Sequence, residues 1–394
     1  MRIGIDATCW WNNRGFGRFT RELIKAMIDS PKDHEFVLFV DQAPAVEMQH
    51  DHVTIIQVEQ SLPVTQAASA SSSRTIKDLL LFRQAVKRQS LDLFFFPAVY
   101  SWYPTPFGLP VVLTLHDAIA EHFPELIFPH WQGKMMWSLK MKLARWQANR
   151  IMTVSHAAKK EIIDYLGIKA NKIDVVPEAA DRIFQPVDCT DKKRAVRKKY
   201  NIPQDTKLIL YVGGLAPHKN IKGFLKALHR VNQGSEACKL HIALIGDPGG
   251  DGFHSDYGSL VTFIENQAPL SNYVHFTGYI PDEDLVTLYS DARALALPSF
   301  SEGFGLPAIE AMACKVPVLA SAKGSLPEVV GDAGIYFDPY DVEQMANAIE
   351  QIVADELAYI NLKDKAFKRS SQFSWSKAAK KTFCCLESTY RQGR

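Results

Sequence analysis

The sequence predicts an α/β protein of two similar halves, each built on a parallel sheet covered by helices. Three observations lead to this prediction. Short β-branched or apolar runs alternate with longer helical patterns, which is typical of a parallel sheet with helices on both faces. The alternation pauses at residues 177–186 and then begins again. The 394 residues also suffice for two domains that each bury a core of their own.

The first half contains short apolar runs that predict strands. They are RIGIDA, FVLFV, VTIIQV, LDLFFF, VVLTL, MTV and IDVV. Two longer segments, FTRELIKAMID and DLLLFRQAVKR, have apolar residues at helical spacing, and a glycine-containing turn precedes the first of them. A Ser/Ala-rich segment at residues 66–74 predicts a mobile loop within this half.

The second half starts with a charged helix, DKKRAVRKKY, and repeats the alternation. The runs that predict its strands are KLILYVGG, KLHIALIG, YVHFTG, ARALALPS and VPVLAS. We therefore expect two α/β domains that are joined near residues 180–190.

Composition excludes several classes of protein. There are 45 Lys+Arg against 43 Asp+Glu, and this balance argues against a nucleic-acid partner. The six cysteines are scattered with no C-x-x-C, so neither a disulfide framework nor a zinc cluster is expected. The amino terminus lacks the apolar core of a signal peptide, and no apolar run approaches the roughly 20 residues that span a bilayer. We expect a cytoplasmic protein.

The stretch SEGFGLPAIEAMACKVP is the most informative part of the sequence. Gly303 and Gly305 flank Phe304, and Pro307 stands where proline is tolerated, in the first turn of a helix. The amides of Phe304, Gly305 and Leu306 then have no intrahelical partner, and such a helix start favours a bound phosphate.

Two carboxylates bracket this turn. Glu302 lies in the loop before it, and we place Glu310 in the first turn of the helix. A carboxylate accepts two hydrogen bonds from a vicinal diol, such as that of a ribose or a hexose. The alternative is an ordinary glycine-capped helix whose glutamates bind nothing.

Other candidate site residues follow predicted strands, where open α/β sheets bind their ligands. Lys219, in GGLAPHKN, is the best cation for a phosphate, and its alternative is a solvated lysine at a helix start. His116 and Asp117 end the strand VVLTL, and they could instead cap the next turn.

The segment GFGR, between the first strand and the first helix, is a weaker candidate. Gly15 and Gly17 let a backbone approach a ligand closely, and Arg18 at the helix start would meet a phosphate or an acceptor. The alternative is a simple tight turn.

Taken together, these motifs resemble retaining glycosyltransferase family 4, of the bacterial group 1 type. Glu302 and Glu310 form the E-x7-E pattern of that family. Further matching pieces occur in order along nearly the whole chain. They are GFGRFTREL, TLHDAI, TVSHAAKKEI, YVGGLAPHKN, GYIPDEDLVTLYSDARALALPS, GSLPEVVGDAGIYFDP and a final FSW.

The resemblance implies the GT-B fold, in which two Rossmann-like domains face each other across a deep cleft. Residues 1–185 would form the acceptor-side domain and residues 186–374 the domain that binds the nucleotide-sugar donor. The last helix of the family crosses back to the first domain, a role that suits FSWSKAAKKTFCCLESTY and adds about residues 375–394 to that domain.

The resemblance also implies roles for the candidate residues. His116 and Glu302 would be catalytic, with Glu302 holding hydroxyls of the donor sugar and Glu310 holding the ribose diol. No metal and no cofactor is expected. The residues implied in donor binding are Gly15, Gly17, Arg18, Gly214, Lys219, Ile280, Phe304, Gly305, Leu306 and Glu310.

The chain departs from the family at two positions. Many members carry an arginine where Gly214 stands and another where His218 stands. Without these arginines, the task of holding the diphosphate would pass to Arg18, to His218 or to another basic group.

The resulting hypothesis is a retaining, metal-independent transfer of a hexose from a nucleotide-diphosphate sugar, with GDP-mannose favoured. The acceptor would be a hydroxyl of a glycan, a lipid-linked sugar or a small molecule. Two alternatives remain, which are a nucleotide-sugar epimerase of the same fold and a catalytically silent scaffold that binds a partner.

Two further segments have ordinary interpretations beside more specific ones. Asp282-Glu283-Asp284 resembles a D-x-D metal motif, but its place after Pro281 favours helix capping. The basic, aromatic stretch at residues 134–150 favours an ordinary helix that buries Trp137, Leu139 and Leu143. Its alternative is peripheral contact with an anionic membrane, at the inner membrane face.

Overall fold

The computed structural model describes residues 1–30, 33–60, 75–234, 239–247 and 255–393, which form two compact units. Unit 1 contains the described residues up to Glu178 together with those from Ser374 onward, and unit 2 contains those from Ala179 to Phe373. The predicted boundary after residue 185 lies a few residues beyond this division. The Ser/Ala-rich segment at residues 66–74 lies outside the described residues.

Unit 1 has a seven-stranded sheet in the order β3-β2-β1-β4-β5-β6-β7, and every neighbouring pair of strands is parallel. All of its strands fall on the runs that predicted them. They are β1 (Arg2–Asp6), β2 (Glu35–Val40), β3 (Val53–Gln57), β4 (Leu93–Phe96), β5 (Val111–Thr114), β6 (Arg150–Thr153) and β7 (Ile173–Val175).

Helices cover this sheet because its central strands are buried on both faces, as in other parallel sheets. Phe94 on β4 packs against Phe39 and Tyr103, with ring centroids 5.4 and 6.0 Å apart. The described helices of unit 1 are α1 (Gly15–Ile28), α2 (Ile76–Lys87), α3 (Ile119–His122), α4 (Pro124–Ile127), α5 (Trp131–Gln147), α6 (His156–Leu166) and the last helix of the chain, Trp375–Gln392.

That last helix packs on unit 1, as the family resemblance implied. Phe383 is buried, with its ring centroid 5.2 Å from that of His34 and 6.3 Å from that of Phe36. Trp375 meets Phe19 of α1 edge-on at 6.0 Å. Chain that follows unit 2 in the sequence therefore completes the apolar core of unit 1.

Helix α5 buries a different face from the one predicted. Met141 and Ala144 are buried, whereas Leu139 and Leu143 are exposed. Residues 137, 141 and 144 share one helical face, and residues 139 and 143 lie on the opposite side. The prediction that Leu139 and Leu143 are buried is therefore wrong. No described helix is both long and apolar enough to span a bilayer.

Unit 2 has a six-stranded parallel sheet in the order β10-β9-β8-β11-β12-β13. Five of its strands were predicted, and the edge strand β13 was missed because its four residues, GIYF, show no alternation. The strands are β8 (Lys207–Val212), β9 (Leu240–Ile245), β10 (Val274–Gly278), β11 (Ala294–Leu297), β12 (Val318–Ser321) and β13 (Gly334–Phe337).

The described helices of unit 2 surround this sheet, and its main core lies between the sheet and helices α8 and α13. In chain order the helices are α7 (Thr190–Lys199), α8 (Ile221–Gly234), α9 (Tyr257–Glu265), α10 (Asp282–Asp291), α11 (Leu306–Ala313), α12 (Leu326–Val330), α13 (Val342–Ala354) and α14 (Glu356–Ser370). The last helix of the chain, Trp375–Gln392, is then α15.

Two histidines stack on neighbouring strands of this sheet. His241 on β9 and His275 on β10 have ring centroids 5.1 Å apart, and Nδ1 of His241 is 2.8 Å from Nε2 of His275. Burial, with the neighbouring His241, lowers the pKa of His275 from 6.5 to about 4. Burial and Arg197 also lower the pKa of His241. Both rings are therefore neutral in the folded protein at pH 7.

This pair should make stability depend on pH. Below pH 6.5 the histidines of the unfolded chain bind protons that the folded pair does not. The contribution of the pair to the free energy of unfolding is therefore complete above pH 6.5 and decreases as the pH falls toward 4. Between pH 7 and 5, wild type should lose about 1.5 to 2 kcal/mol more than His275→Gln in urea unfolding. His50→Gln, at an exposed position, should behave as wild type. Equal losses in His275→Gln and wild type would contradict this assignment.

Candidate active site

The carboxyl ends of two neighbouring strands bring a lysine and a glutamate together in unit 2. Lys219 ends a short 3-10 turn, Pro217–Lys219, after β8, and Glu302 lies in the loop after β11. Strands β8 and β11 are adjacent and parallel, so the loops that follow them meet at the same edge of the sheet. The two residues are 83 positions apart in the sequence.

These two side chains form a tight ion pair. The Nζ atom of Lys219 donates to Oε1 and Oε2 of Glu302 at 2.8 and 2.7 Å. The hydroxyl of Ser299 donates to Oε1 at 2.6 Å. The side chains of Lys219 and Glu302 are 20% and 11% exposed. An ammonium group and a carboxylate are thus held beside each other at the sheet edge, largely shielded from water.

The backbone around Glu302 is fixed by the start of α12. The amide of Ser325 donates to the carbonyl of Glu302 at 3.2 Å, and the Ser325 hydroxyl donates to the carbonyl of Phe304 at 2.8 Å. Gly324 has a φ of +59°, and a Cβ there would lie 2.7 Å from the Glu302 nitrogen. Glycine is needed at this position both for its backbone angle and for the space.

Helix α11 starts beside this pair. Gly305 precedes it with a φ of +95°, and its first amides point out of the amino end, where an anion is favoured. Phe304 and Leu306 are 4% and 5% exposed and so anchor the turn through apolar packing. Ile280, 2% exposed, lies between β10 and α10.

Glu310 lies deeper on α11 than predicted. It is the fifth residue of the helix, in the second turn and not the first, and it is 3% exposed. The Tyr289 hydroxyl donates to its Oε2 at 3.3 Å. Burial, with the charge of Glu310, raises the pKa of the Cys314 thiol to about 12. The carboxylate therefore sits in a poorly solvated environment that strengthens any hydrogen bond it accepts.

The ends of β8 and β9 approach each other through glycines. A Cβ at Gly246 would lie 2.1 Å from the Gly213 carbonyl oxygen. The next residue, Gly214, is exposed and a Cβ there would have no atom within 4 Å. Its carbonyl accepts a hydrogen bond from the Tyr211 hydroxyl at 2.6 Å, and burial, with Glu302, holds the pKa of Tyr211 well above 10.

His218 does not replace a missing arginine as a cation. Burial and the adjacent Lys219 ammonium hold its pKa well below 6.5, so the ring is neutral at pH 7. Its Nδ1 atom is buried, with no hydrogen-bond partner among the described residues. Of the two neighbours His218 and Lys219, Lys219 is therefore the one that carries a positive charge at this edge of the sheet.

In unit 1, His116 follows β5 and lies between two oxygens. Its Nε2 is 3.1 Å from the Pro97 carbonyl, and its Nδ1 is 3.5 Å from Oε1 of Glu178. The Phe19 ring packs edge-on against it at 4.8 Å. The ring is therefore held between a backbone carbonyl and a carboxylate. The Asp117 carboxylate accepts a hydrogen bond from the Ile119 amide at 3.0 Å. This is the contact that the turn-capping alternative predicts.

The segment GFGR forms the first turn of α1 and not a loop before it. The helix begins at Gly15, and Arg18 is its fourth residue. At Gly17 a Cβ would lie 2.0 Å from the Asn12 carbonyl oxygen, so a glycine lets the preceding loop pack on the helix. The alternative of a tight turn before the helix is therefore wrong, because these residues lie within the helix. Gly17 packs closely against the preceding loop.

Family models match both units of the chain. The model described as Glycosyltransferase Family 4 matches residues 13–182, and the model described as Glycosyl transferases group 1 matches residues 192–369. The O-antigen chain mannosyltransferase B of Escherichia coli is 30% identical over 387 residues, which cover 93% of this chain and 94% of that protein. The chain belongs to glycosyltransferase family 4.

Solved structures agree with the GT-B fold of this glycosyltransferase. The sucrose-phosphate synthase of Thermosynechococcus elongatus superposes with a TM-score of 0.74 at 21% identity, over 100% of this chain and 98% of that one. Anabaena HepE, solved with UDP and glucose, gives 0.72 at 20% identity, over 98% and 100%. The predicted family and fold are confirmed.

Sequence reasoning missed three residues of this glycosyltransferase that contact the candidate site residues. They are Glu178, Ser299 and Tyr289, beside His116, Glu302 and Glu310 respectively. Glu178 and Ser299 each follow a strand, β7 and β11, and that position was an available signal. Nothing in the spacing of Tyr289, on α10, pointed to Glu310.

The D-x-D-like segment of the glycosyltransferase forms the start of a helix. Asp282, Glu283 and Asp284 are the first residues of α10, and the N-cap position before them is Pro281. Asp284 accepts hydrogen bonds from Lys199 at 2.6 Å and Tyr200 at 2.7 Å. The lysine holds the pKa of Asp284 below its usual value. The interpretation of this segment as a helix start fits the structure.

Gly324→Ala tests whether the backbone of Glu302 must be held in place. The new Cβ would push the Glu302 amide away, and a displacement near 1 Å at a catalytic group costs about 100-fold in rate. We expect kcat for glycosyl transfer to fall about 100-fold, with the melting temperature lowered by only a few degrees. The control is Gly258→Ala on α9, where a Cβ meets open space. A fully active Gly324→Ala enzyme would disprove this role.

Proposed function

We propose that this glycosyltransferase moves mannose from GDP-mannose to a hydroxyl of a glycan, with retention of the anomeric configuration and without a metal ion. The observation that carries the proposal is the ion pair of Lys219 and Glu302 beside the amino end of α11. The name of the Escherichia coli relative, which matches nearly the whole chain, supports mannose. The UDP bound by Anabaena HepE supports a nucleoside diphosphate.

Lys219 would stabilise the departing diphosphate. Cleavage of the bond between sugar and diphosphate builds negative charge on the diphosphate, and a preorganised ammonium group stabilises that charge. Glu302 holds the Nζ atom of Lys219 in one place before the donor arrives. The amides at the start of α11 add positive potential. These groups supply the positive charge for which other transferases use a divalent cation, which is our reason for proposing metal independence.

Glu302 and Glu310 would bind the two diols of the donor. Glu302 has two carboxylate oxygens near the ammonium of Lys219, where sugar hydroxyls adjoining the diphosphate would lie. Glu310, buried in the second turn of α11, would accept both hydroxyls of the ribose. The Tyr289 hydroxyl fixes one of its oxygens at 3.3 Å and so orients the carboxylate.

The acceptor would attack the face of the sugar that the diphosphate leaves. A phosphate oxygen of the donor would take the proton of the acceptor hydroxyl, so that no protein nucleophile is required. His116, whose ring lies between the Pro97 carbonyl and Glu178, would be the catalytic residue that unit 1 contributes. This sequence of steps retains the configuration of the anomeric carbon.

The decisive experiment is an assay of sugar transfer with EDTA present. GDP-mannose, UDP-glucose and dTDP-rhamnose would each be offered with a mannose-terminated oligosaccharide, and the product anomer would be assigned by NMR. We expect an α-mannoside from GDP-mannose, and a loss of 100- to 1,000-fold in kcat for Glu302→Gln and for Lys219→Met. Ser371→Ala, at an exposed position on unit 2, is the control.

Other outcomes of this assay would contradict the proposal in distinguishable ways. An epimerised nucleotide sugar without any new glycoside would indicate the epimerase. Transfer from another nucleotide sugar would overturn the choice of donor alone. Failure of every donor both to react and to shift the melting temperature would indicate the silent scaffold. Inversion at the anomeric carbon would overturn the mechanism.

Gly214→Arg should strengthen donor binding. Position 214 is exposed with open space around its Cβ, so an arginine fits there without displacing neighbours. Its guanidinium would add a second cation for the diphosphate beside Lys219. We expect the dissociation constant of GDP, measured by calorimetry, to fall about tenfold, with smaller gains at high salt. Gly258→Arg on α9 controls for net charge, and equal gains in both variants would contradict the local explanation.

A further inference from the structure

Helix α5 exposes a set of large apolar side chains to solvent. On most protein surfaces such residues occur singly, whereas here one helix carries six of them. Their exposed fractions are 69% for Trp131, 57% for Met135, 44% for Met136, 59% for Leu139, 44% for Leu143 and 74% for Trp146.

These side chains form one continuous face, called here the α5 stripe. Positions 131, 135, 139, 143 and 146 follow each other at intervals of three or four residues, and Met136 borders them. The stripe lies opposite Met141 and Ala144, through which the helix packs on unit 1. Packing within the unit therefore does not account for the apolar stripe.

The stripe continues onto a neighbouring loop. Phe107, which precedes β5, is 79% exposed, and its ring meets that of Trp146 edge-on at 6.2 Å. The guanidinium of Arg83 on α2 lies 5.5 Å from the centre of the Phe107 ring. Aromatic rings and a cation thus extend the exposed surface beyond the helix.

Positive charge lies beside the stripe. Helix α5 contains three lysines and one arginine and no acidic residue. A cavity of about 860 Å³ opens along the helix, and Lys134, Lys142, Arg145, Lys169 and Lys172 line it. Glu121 is the acidic residue among its described lining residues, and its carboxylate accepts a hydrogen bond from Nε1 of Trp137 at 2.8 Å.

We propose that the α5 stripe docks on an anionic lipid bilayer, with its apolar side chains in the interface and its cations against the headgroups. A helix with tryptophan and leucine on one face and lysine beside them is suited to lie in the plane of a membrane surface. Lys134 and Lys142, which are exposed on the same helix, would face lipid phosphates. A second copy of the chain fits less well, because two such helices face to face would bring their positive charges together. This docking goes beyond the proposed transfer reaction and does not depend on it.

The test is co-sedimentation of the full chain with vesicles. We expect binding to vesicles of equal parts phosphatidylglycerol and phosphatidylcholine, weaker binding to pure phosphatidylcholine, and release by salt. Leu139→Glu combined with Leu143→Glu should lower the partition coefficient at least tenfold. Lys134→Ala and Lys142→Ala should each lower it about fivefold on the anionic vesicles.

Matched controls separate the stripe from general effects of charge. Leu357→Glu on α14 of unit 2 changes a leucine that is 81% exposed, and Lys226→Ala on α8 changes an exposed lysine. Both should bind vesicles as wild type does. Equal weakening in these controls would overturn the assignment to α5.

Two other results would also overturn the proposal. One is failure of wild type to bind the anionic vesicles. The other is a dimer, seen by sedimentation velocity, that Leu139→Glu dissociates while vesicle binding is absent, since the occupant would then be a second copy. Quenching of wild-type tryptophan fluorescence by brominated lipids supplies a test that needs no variant, because Trp131 and Trp146 would enter the interface.

Discussion

The parallel arrangement of both sheets decides where the polar residues of this enzyme meet. In a parallel sheet the carboxyl ends of all strands lie at one edge, so loops distant in sequence become neighbours there. Strands β8 and β11 are adjacent, and the loops after them carry Lys219 and Glu302. In unit 1 the chain after β5 carries His116 and the chain after β7 carries Glu178. The candidate groups of each unit follow from this one constraint.

The ion pair in unit 2 is better explained by chemistry than by stability. A mostly buried ion pair recovers little more than the cost of removing both charges from water. Its value lies in preorganisation, since Lys219 and Glu302 hold each other in place while Ser299 restrains one carboxylate oxygen. Under the proposed function, an anion or a hydroxyl that enters would find these groups already oriented, and no reorganisation would be needed at the moment of reaction.

The sequence alone predicted those features that repeat a strong local pattern. The alternation of apolar runs located all seven strands of unit 1, and the glycines and proline around Phe304 located the start of α11. It missed β13, whose four residues carry no periodic signal. It also misplaced the buried face of α5. Apolar residues of this helix lie on both its packed and its exposed sides, so periodicity alone did not identify the packed side.

Contacts between residues far apart in the sequence were beyond that reasoning. The neutral state of His218 results from its burial beside Lys219, and the place of His116 depends on Glu178. Both need the three-dimensional arrangement, since local spacing reports neither burial nor the partner from another loop. The departures from the family at Gly214 and His218 were visible in the sequence. The sequence did not show that there is open space around position 214 or that the His218 ring is uncharged.

The return of α15 to unit 1 has a consequence for synthesis on the ribosome. Unit 1 begins the chain, yet the partner of Phe36 in its core, Phe383, is translated only after unit 2. Domains generally fold as their chain emerges. Here the amino-terminal sheet must wait, with apolar side chains uncovered, while the whole of unit 2 is made. The nascent enzyme thus completes its second domain before its first, and chaperones have their longest opportunity to bind in that interval.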